Sequence, residues 1–361
     1  MDVVLSSLPP WREFMPPTPE TYIIALFIFQ YFPMFSIIQW LTSFHPAGKT
    51  SLNRSFLNFP GKPAWFIMEI VGPANLLFAL GSQSQSQLSA LPGPNKLVAA
   101  LYLTHYANRA IITPFFVAPS MSPIHLLVIL MAVAFNWLNS TCIAAWVLGA
   151  PVPVHGHPSA PMPPASPLTT LLPYVGIVVF ALGMLGNIRA ERTLFRLRRE
   201  AADQRAAKKD SGSGSSSSTK DADAGNASKY AKVYVIPPAT GLFRFILYPH
   251  YACEWLEWLG FALVGTAVHP SAALAAAGPS AAVFGSAAEL LPLRLVPWLE
   301  PAAGLAERLG MPLPLPAVVF VVNAVTNMLP HARWGRKWYV QKFGEEAVAG
   351  RGAVVPYCSW M

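Results

Sequence analysis

Long uncharged apolar runs constrain this chain more than any other feature. Tyr22 to Leu41, Leu126 to Leu148 and Leu168 to Leu185 carry no ionisable side chain apart from tyrosine and cysteine, and Leu315 to Leu329 is a shorter run of the same kind. Such lengths approach the roughly 20 residues that a helix needs to cross a bilayer core. Three further apolar stretches each hold one or two ionisable groups: Ala64 to Leu80 with Glu69, Leu97 to Phe116 with His105 and Arg109, and Tyr251 to Ala267 with Glu254 and Glu257. Only 12% of the residues are charged, against about 25% in an ordinary soluble domain. The expected fold is therefore all-α, a bundle of seven transmembrane helices with cytosolic loops.

With seven spans imposed, the basic residues fall unevenly. Arg12, Lys96, Arg294 and Arg308 share the side of the N-terminus, whereas Lys49, Arg54, Lys62, the twelve basic residues between Arg189 and Arg244 and the five between Arg333 and Arg351 lie opposite. Cytosolic loops gather lysine and arginine. This bias predicts a cytosolic C-terminus and an N-terminus across the membrane.

The whole chain, residues 1–361, reads as one integral-membrane domain with two inserts. Ala201 to Ser228 is rich in Ser, Gly, Ala, Lys and Asp and nearly devoid of large apolar residues, too little to offset the entropy of ordering, so a disordered cytosolic insert is expected there. Residues 268–314 form a Pro- and Ala-rich luminal insert, with a surface-lying amphipathic helix around Ala302 to Leu309. The prolines between Gly149 and Pro167 argue against a helix, and His155 and His157 in that loop read as incidental. The three cysteines have neither CxxC nor zinc spacing, so no metal site is expected.

Ionisable groups inside a span cost roughly 2.5 to 3.5 kcal/mol each at the helix centre and call for a partner or a purpose. Glu69 is one. Tyr106 and Arg109, three apart, share a helix face; the phenol suits hydrogen bonding to a ketone, while Arg109 can pair with Glu69, steady Tyr106 or reach a phosphate. His105 reads as a packing histidine. Asn187 and Glu191, four apart at the end of the fifth span, suit a carboxamide or ribose hydroxyls, and Arg198, two turns on, suits a phosphate. Glu254 and Glu257 open the sixth span as two carboxylates that a polyhydroxylated ligand would satisfy. Neither G-x-G-x-x-G after a strand nor G-x-x-x-x-G-K-[ST] occurs, so a nucleotide would be held by the helices and their loops rather than by a Rossmann domain.

The segments "HYANR", "LGMLGNIRAERTLFRLR" and the run from "YVIP" through "GLFRFILYPHYACEWLEWLGFAL" to "RKWYVQKF" resemble the steroid 5-alpha-reductase family, whose C-terminal domain is shared with polyprenal and trans-2-enoyl-CoA reductases. The resemblance implies NADPH-dependent saturation of a lipid enone, most simply a 3-oxo-delta4-steroid, in the endoplasmic reticulum membrane, with no nucleic-acid partner. By position it implies Glu69 and Tyr106 at the substrate ketone. It implies NADPH contacts from Asn187, Glu191, Arg198, Tyr234, Glu254 and Tyr339, with Arg109 supporting them, and places Asn139 near the pocket. Glu191 stands where relatives often have aspartate, His250 where the steroid branch tends to have asparagine, and Gly335 interrupts a histidine cluster common before the final aromatic pair. "YPHY" resembles the polyprenal branch, so polyprenal and enoyl-CoA reduction are the enzymatic alternatives. A sterol-binding or transport protein is the non-enzymatic one and would need no nucleotide.

Overall fold

A computed structural model describes residues 9–43, 47–48, 55–157, 167–212, 229–230, 233–268, 292–358 and 360. Helices form at all seven expected places. They are α1 (Pro19–Gln30) leading into α2 (Phe35–Leu41), then α3 (Gly61–Gly81), the short α4 (Gln85–Ala90), α5 (Gly93–Tyr106), α6 (Leu126–Val147), α7 (Pro167–Gly212), α8 (Pro249–Gly265), α9 (Glu300–Leu309), α10 (Leu315–Phe343) and α11 (Glu345–Val348). The only sheet among the described residues pairs β1 (Asn58–Phe59) with β2 (Ile124–His125), which clips the approach to α3 onto the start of α6.

Seven spans were expected, and among the described residues five helices are long and apolar enough to cross a membrane: Pro19–Leu41, Gly61–Gly81, Leu126–Val147, Pro167–Lys208 and Leu315–Phe343. The two that fall short are α5, of 14 residues and followed by a wide π-type helix over Ala107–Val117, and α8, of 17 residues. Seventeen residues rise about 25 Å, less than the roughly 30 Å of a bilayer core. These are also the segments that carry His105, Arg109, Glu254 and Glu257. The groups that mark them for chemistry lower their hydropathy.

The disordered insert expected from Ala201 to Ser228 needs correction at its start, because α7 continues to Gly212. Alanine, glutamine, arginine and lysine are strong helix formers, and an extended helix needs no core of its own. Ala202 is buried, and Asp203 pairs with Lys229 at 2.6 Å. The rest of that insert, residues 213–228, and residues 269–291 of the Pro- and Ala-rich insert lie outside the described residues. Near its end the Pro- and Ala-rich insert holds α9, covering the expected amphipathic segment, with Ala303 and Ala306 buried.

Glycines bring α7 and α8 together. A Cβ at Gly176 would come within 2.6 Å of the Val264 backbone nitrogen, one at Gly186 within 2.6 Å of Cys253 Sγ, and one at Gly183 would strike the backbone of Glu257. In a bundle without a hydrophobic drive between helices, small residues allow the close approach that van der Waals packing needs. That approach sets Asn187 and Glu191 of α7 beside Glu254 of α8. The main core, with Tyr22, Leu26, Phe29, Leu76, Trp258 and Phe261 among its members, fills the space between α1, α3, α6, α8 and α10.

Candidate active site

Four helical segments converge on one guanidinium. Arg109, on the π-type helix after α5, lies 3.4 Å from Glu69 of α3 through Nε, and through Nη1 it reaches Glu191 of α7 at 3.1 Å and Glu254 of α8 at 3.8 Å. The Trp65 indole donates to the Arg109 carbonyl at 3.1 Å, and its ring lies 4.6 Å beneath the guanidinium. Asn187 donates to Glu254 at 3.1 Å. Three carboxylates share one arginine, so the cluster has more acceptor capacity than its own donors fill.

Tyr106 stands one turn along α3 from Glu69. A Cβ on Gly72 would lie 3.4 Å from the Tyr106 ring, so the glycine lets the phenol sit against α3, three residues beyond the carboxylate. The Tyr106 hydroxyl donates to Asn136 Oδ1 at 2.8 Å, and Asn136 in turn donates to the Met68 carbonyl at 2.7 Å. The amide is fixed by backbone, and it fixes the phenol. Asn139, one turn further along α6, donates at 3.3 Å to Tyr102, whose ring lies 4.6 Å from that of Tyr106. The amide that holds the tyrosine is Asn136.

Outward from Glu191 and Trp65 runs a cavity of about 340 Å³, lined also by Arg198, Tyr234, Tyr248, His250 and Tyr339. Arg198 donates to the carbonyl and hydroxyl of Ser120 at 3.2 and 3.0 Å, which ties α7 to the loop before β2, while its buried Nε has no hydrogen-bond partner. Arg199 donates to the Val117 carbonyl at the end of the π-type helix. The Tyr234 ring packs edge-on against Trp338 with centroids 4.9 Å apart, under the Lys342 ammonium. Just outside the cavity, Arg351 gathers the carbonyls of Pro237, Phe243, Val348 and Ala347, closing the C-terminal segment over the start of α8. Burial lowers the pKa of this arginine from its usual value.

Of the residues singled out from sequence, Glu69, Arg109, Asn187, Glu191 and Glu254 meet in one cluster, Tyr106 adjoins it, and Glu191, Arg198, Tyr234 and Tyr339 line the cavity. Sequence reasoning missed Trp65, four residues before Glu69 and so on the same helix face, and it missed Asn136. His105 differs from its reading as a packing histidine. Its Nδ1 lies 2.8 Å from Glu257 Oε1, both groups are buried, and the other Glu257 oxygen has no hydrogen-bond partner. The sequence signal was present, since a buried histidine and a buried carboxylate in neighbouring spans satisfy each other more cheaply than either alone.

A mixed set of donors and acceptors such as this fits a dinucleotide. The acceptor surplus around Arg109 suits the amide of a carboxamide and the hydroxyls of a ribose, and the buried Arg198 Nε suits a phosphate oxygen. Aromatic rings between the two supply flat apolar walls.

No protein-family model matches the chain. An uncharacterized protein of Schizosaccharomyces pombe is 29% identical over 309 residues, which is 82% of this chain and 84% of that protein. The steroid 5-alpha-reductase DET2 of Arabidopsis thaliana is 26% identical over 301 residues, 81% of this chain and 80% of its own. The 3-oxo-5-alpha-steroid 4-dehydrogenase 1 of Homo sapiens is 26% identical over 225 residues, 62% of this chain and 70% of its own.

Proposed function

We propose, from the premise that the chain belongs to the steroid 5-alpha-reductase family, that it is a membrane oxidoreductase that uses NADPH to saturate the carbon-carbon double bond of a lipid enone, most simply a 3-oxo-delta4-steroid. The observation that carries this reading is the continuity between the Arg109 cluster and the cavity, which share Glu191 and Trp65, with Tyr106 packed against α3 one turn from Glu69. Asn187, Glu191 and Glu254 would hold the nicotinamide carboxamide and its ribose, Arg198 a phosphate, and Tyr234 and Tyr339 would flank the nucleotide. NADPH, when bound there, would supply a hydride for the beta carbon of the enone, with the alpha carbon taking its proton from solvent.

The residues of the chain do the rest. Tyr106, and Glu69 in its protonated, neutral form, donate to the ketone oxygen and stabilise the charge that develops on it, a role worth commonly about 3 to 4 kcal/mol per donor. In the described structure the Tyr106 proton points to Asn136. A ketone oxygen must therefore compete with that amide, and Asn136 keeps the hydroxyl aimed until it does. Arg109 holds Glu69 and Glu191 in place. An apolar substrate enters from lipid and the nucleotide from the basic side, so the bundle joins two reactants that do not share a solvent. This reading sets the protein in the endoplasmic reticulum membrane with its C-terminus in the cytosol.

The test is turnover of a 3-oxo-delta4-steroid by the purified protein in detergent. Tyr106→Phe removes one donor and lowers turnover by about tenfold or more while the protein stays folded. Unchanged turnover would remove Tyr106 from the mechanism. A wild-type protein with no affinity for NADPH would favour a lipid-binding role instead.

A further inference from the structure

Gly335 lies in the interior of α10, where a glycine costs a helix about 1 kcal/mol relative to alanine. A methyl group there would collide with the phenol of Tyr248, striking its oxygen and coming within 2.5 Å of Cζ and 3.2 Å of Cε2. Tyr248 is not free to step aside. Its backbone N–H donates to the Ala353 carbonyl at 2.9 Å, and the N–H of Leu247 donates to the Gly352 carbonyl at 3.0 Å, so the C-terminal segment pins its main chain. Its ring is 8% exposed and packs against Tyr339, Tyr251 and His250 with centroids 6.1, 5.4 and 5.6 Å away. The same ring forms part of the cavity wall. A side chain at position 335 would push the phenol away from α10, toward the cavity that Tyr248 borders.

We infer that Gly335 sets the size of the nucleotide-binding cavity: the missing side chain lets Tyr248 lie back against α10, and the two residues act as one unit. The inference rests on the reading of this cavity as the cofactor site. It gives a helix-destabilising residue a positioning role, since alanine at 335 would favour the helix and cost the cavity.

The experiment is a fluorescence titration of NADPH into the purified full-length protein and into Gly335→Ala, Tyr248→Leu and the double variant. Gly335→Ala weakens NADPH binding by about tenfold or more, the usual consequence of overpacking, and raises KM for NADPH while sparing kcat. In the Tyr248→Leu background the same alanine changes affinity by less than about twofold, because the group it collides with is gone. Equal losses in both backgrounds, or no loss in either, overturn the inference. A structure of Gly335→Ala decides it independently of any ligand: the phenol turned into the cavity supports it, and the phenol in place with α10 displaced overturns it. If the wild-type protein itself fails to bind NADPH, the cofactor reading falls, and that structure still settles what the glycine does.

Discussion

The two ends of the bundle use polar residues in opposite ways. Around Arg109, side chains with full charges bond to one another, and they border a cavity. Toward Trp146 and Leu299, buried amides bond to backbone: Asn95 to the Val147 carbonyl at 2.8 Å, Gln30 to the Arg294 carbonyl at 3.0 Å and the Val296 N–H at 3.2 Å, and Asn323 to the Phe29 carbonyl at 3.1 Å. A neutral amide tied to backbone, even with one oxygen unpaired as in Asn95 and Asn323, costs less than a buried charge, which must be matched by its partners. Charge is therefore concentrated beside the cavity, and at the other end these amides tie the segments together.

The largest effect should come from breaking the charged end. Arg109→Leu leaves Glu69, Glu191 and Glu254 without their shared cation, a loss of about 3 to 5 kcal/mol in stability together with the loss of enone reduction. Thermal unfolding in detergent measures the first. An unchanged transition would mean that the three carboxylates do not depend on the arginine.

The opposite end should respond differently. Leu26 is fully buried in the main core, and Leu26→Ala should cost about 2 to 5 kcal/mol. Activity per folded molecule should stay within about twofold, since the cavity this substitution leaves lies away from the charged cluster. Activity falling in parallel with that of Arg109→Leu would dissolve the contrast between the ends.

The contrast was only partly legible in the sequence. Each helix was, because apolar runs of spanning length leave little else to form, and so were the ionisable residues Glu69, Arg109, Glu191 and Glu254, because charges stand out against an apolar background, although of their contacts only the pairing of Arg109 with Glu69 was expected. Neutral partners do not stand out. Asn136 and Asn139 look alike along α6, and only the three-dimensional placement of Met68 and Tyr102 tells which amide meets Tyr106. Gly335 was visible as a departure from the family pattern, but the phenol that needs its space lies 87 positions away in the sequence. Helix length was misjudged where propensity mattered more than burial, as at Ala201 to Gly212.

A smaller effect belongs to the loop that read as incidental. His157 lies between Glu300 at 3.0 Å and Glu307 at 3.1 Å, joining its loop to α9. Hydrogen bonds to Glu300 and then Glu307 raise its pKa above the usual 6.5. A raised histidine stabilises the fold fully below its unfolded value, and that contribution is lost as pH rises through the folded one. His157→Gln should therefore lower the melting temperature near about pH 6 and leave it unchanged near about pH 8.5, the difference amounting to at most about 1 kcal/mol because water screens surface pairs. A gap that widened with pH would exclude this latch.

The most direct test of the site is isotopic. The purified protein is incubated with a 3-oxo-delta4-steroid and NADPH deuterated at the nicotinamide C4, and the product is read by mass spectrometry. Transfer of deuterium to the beta carbon, with the alpha hydrogen drawn from solvent and the yield falling in Tyr106→Phe, is the predicted result. A protein that binds the steroid yet transfers no label would contradict it.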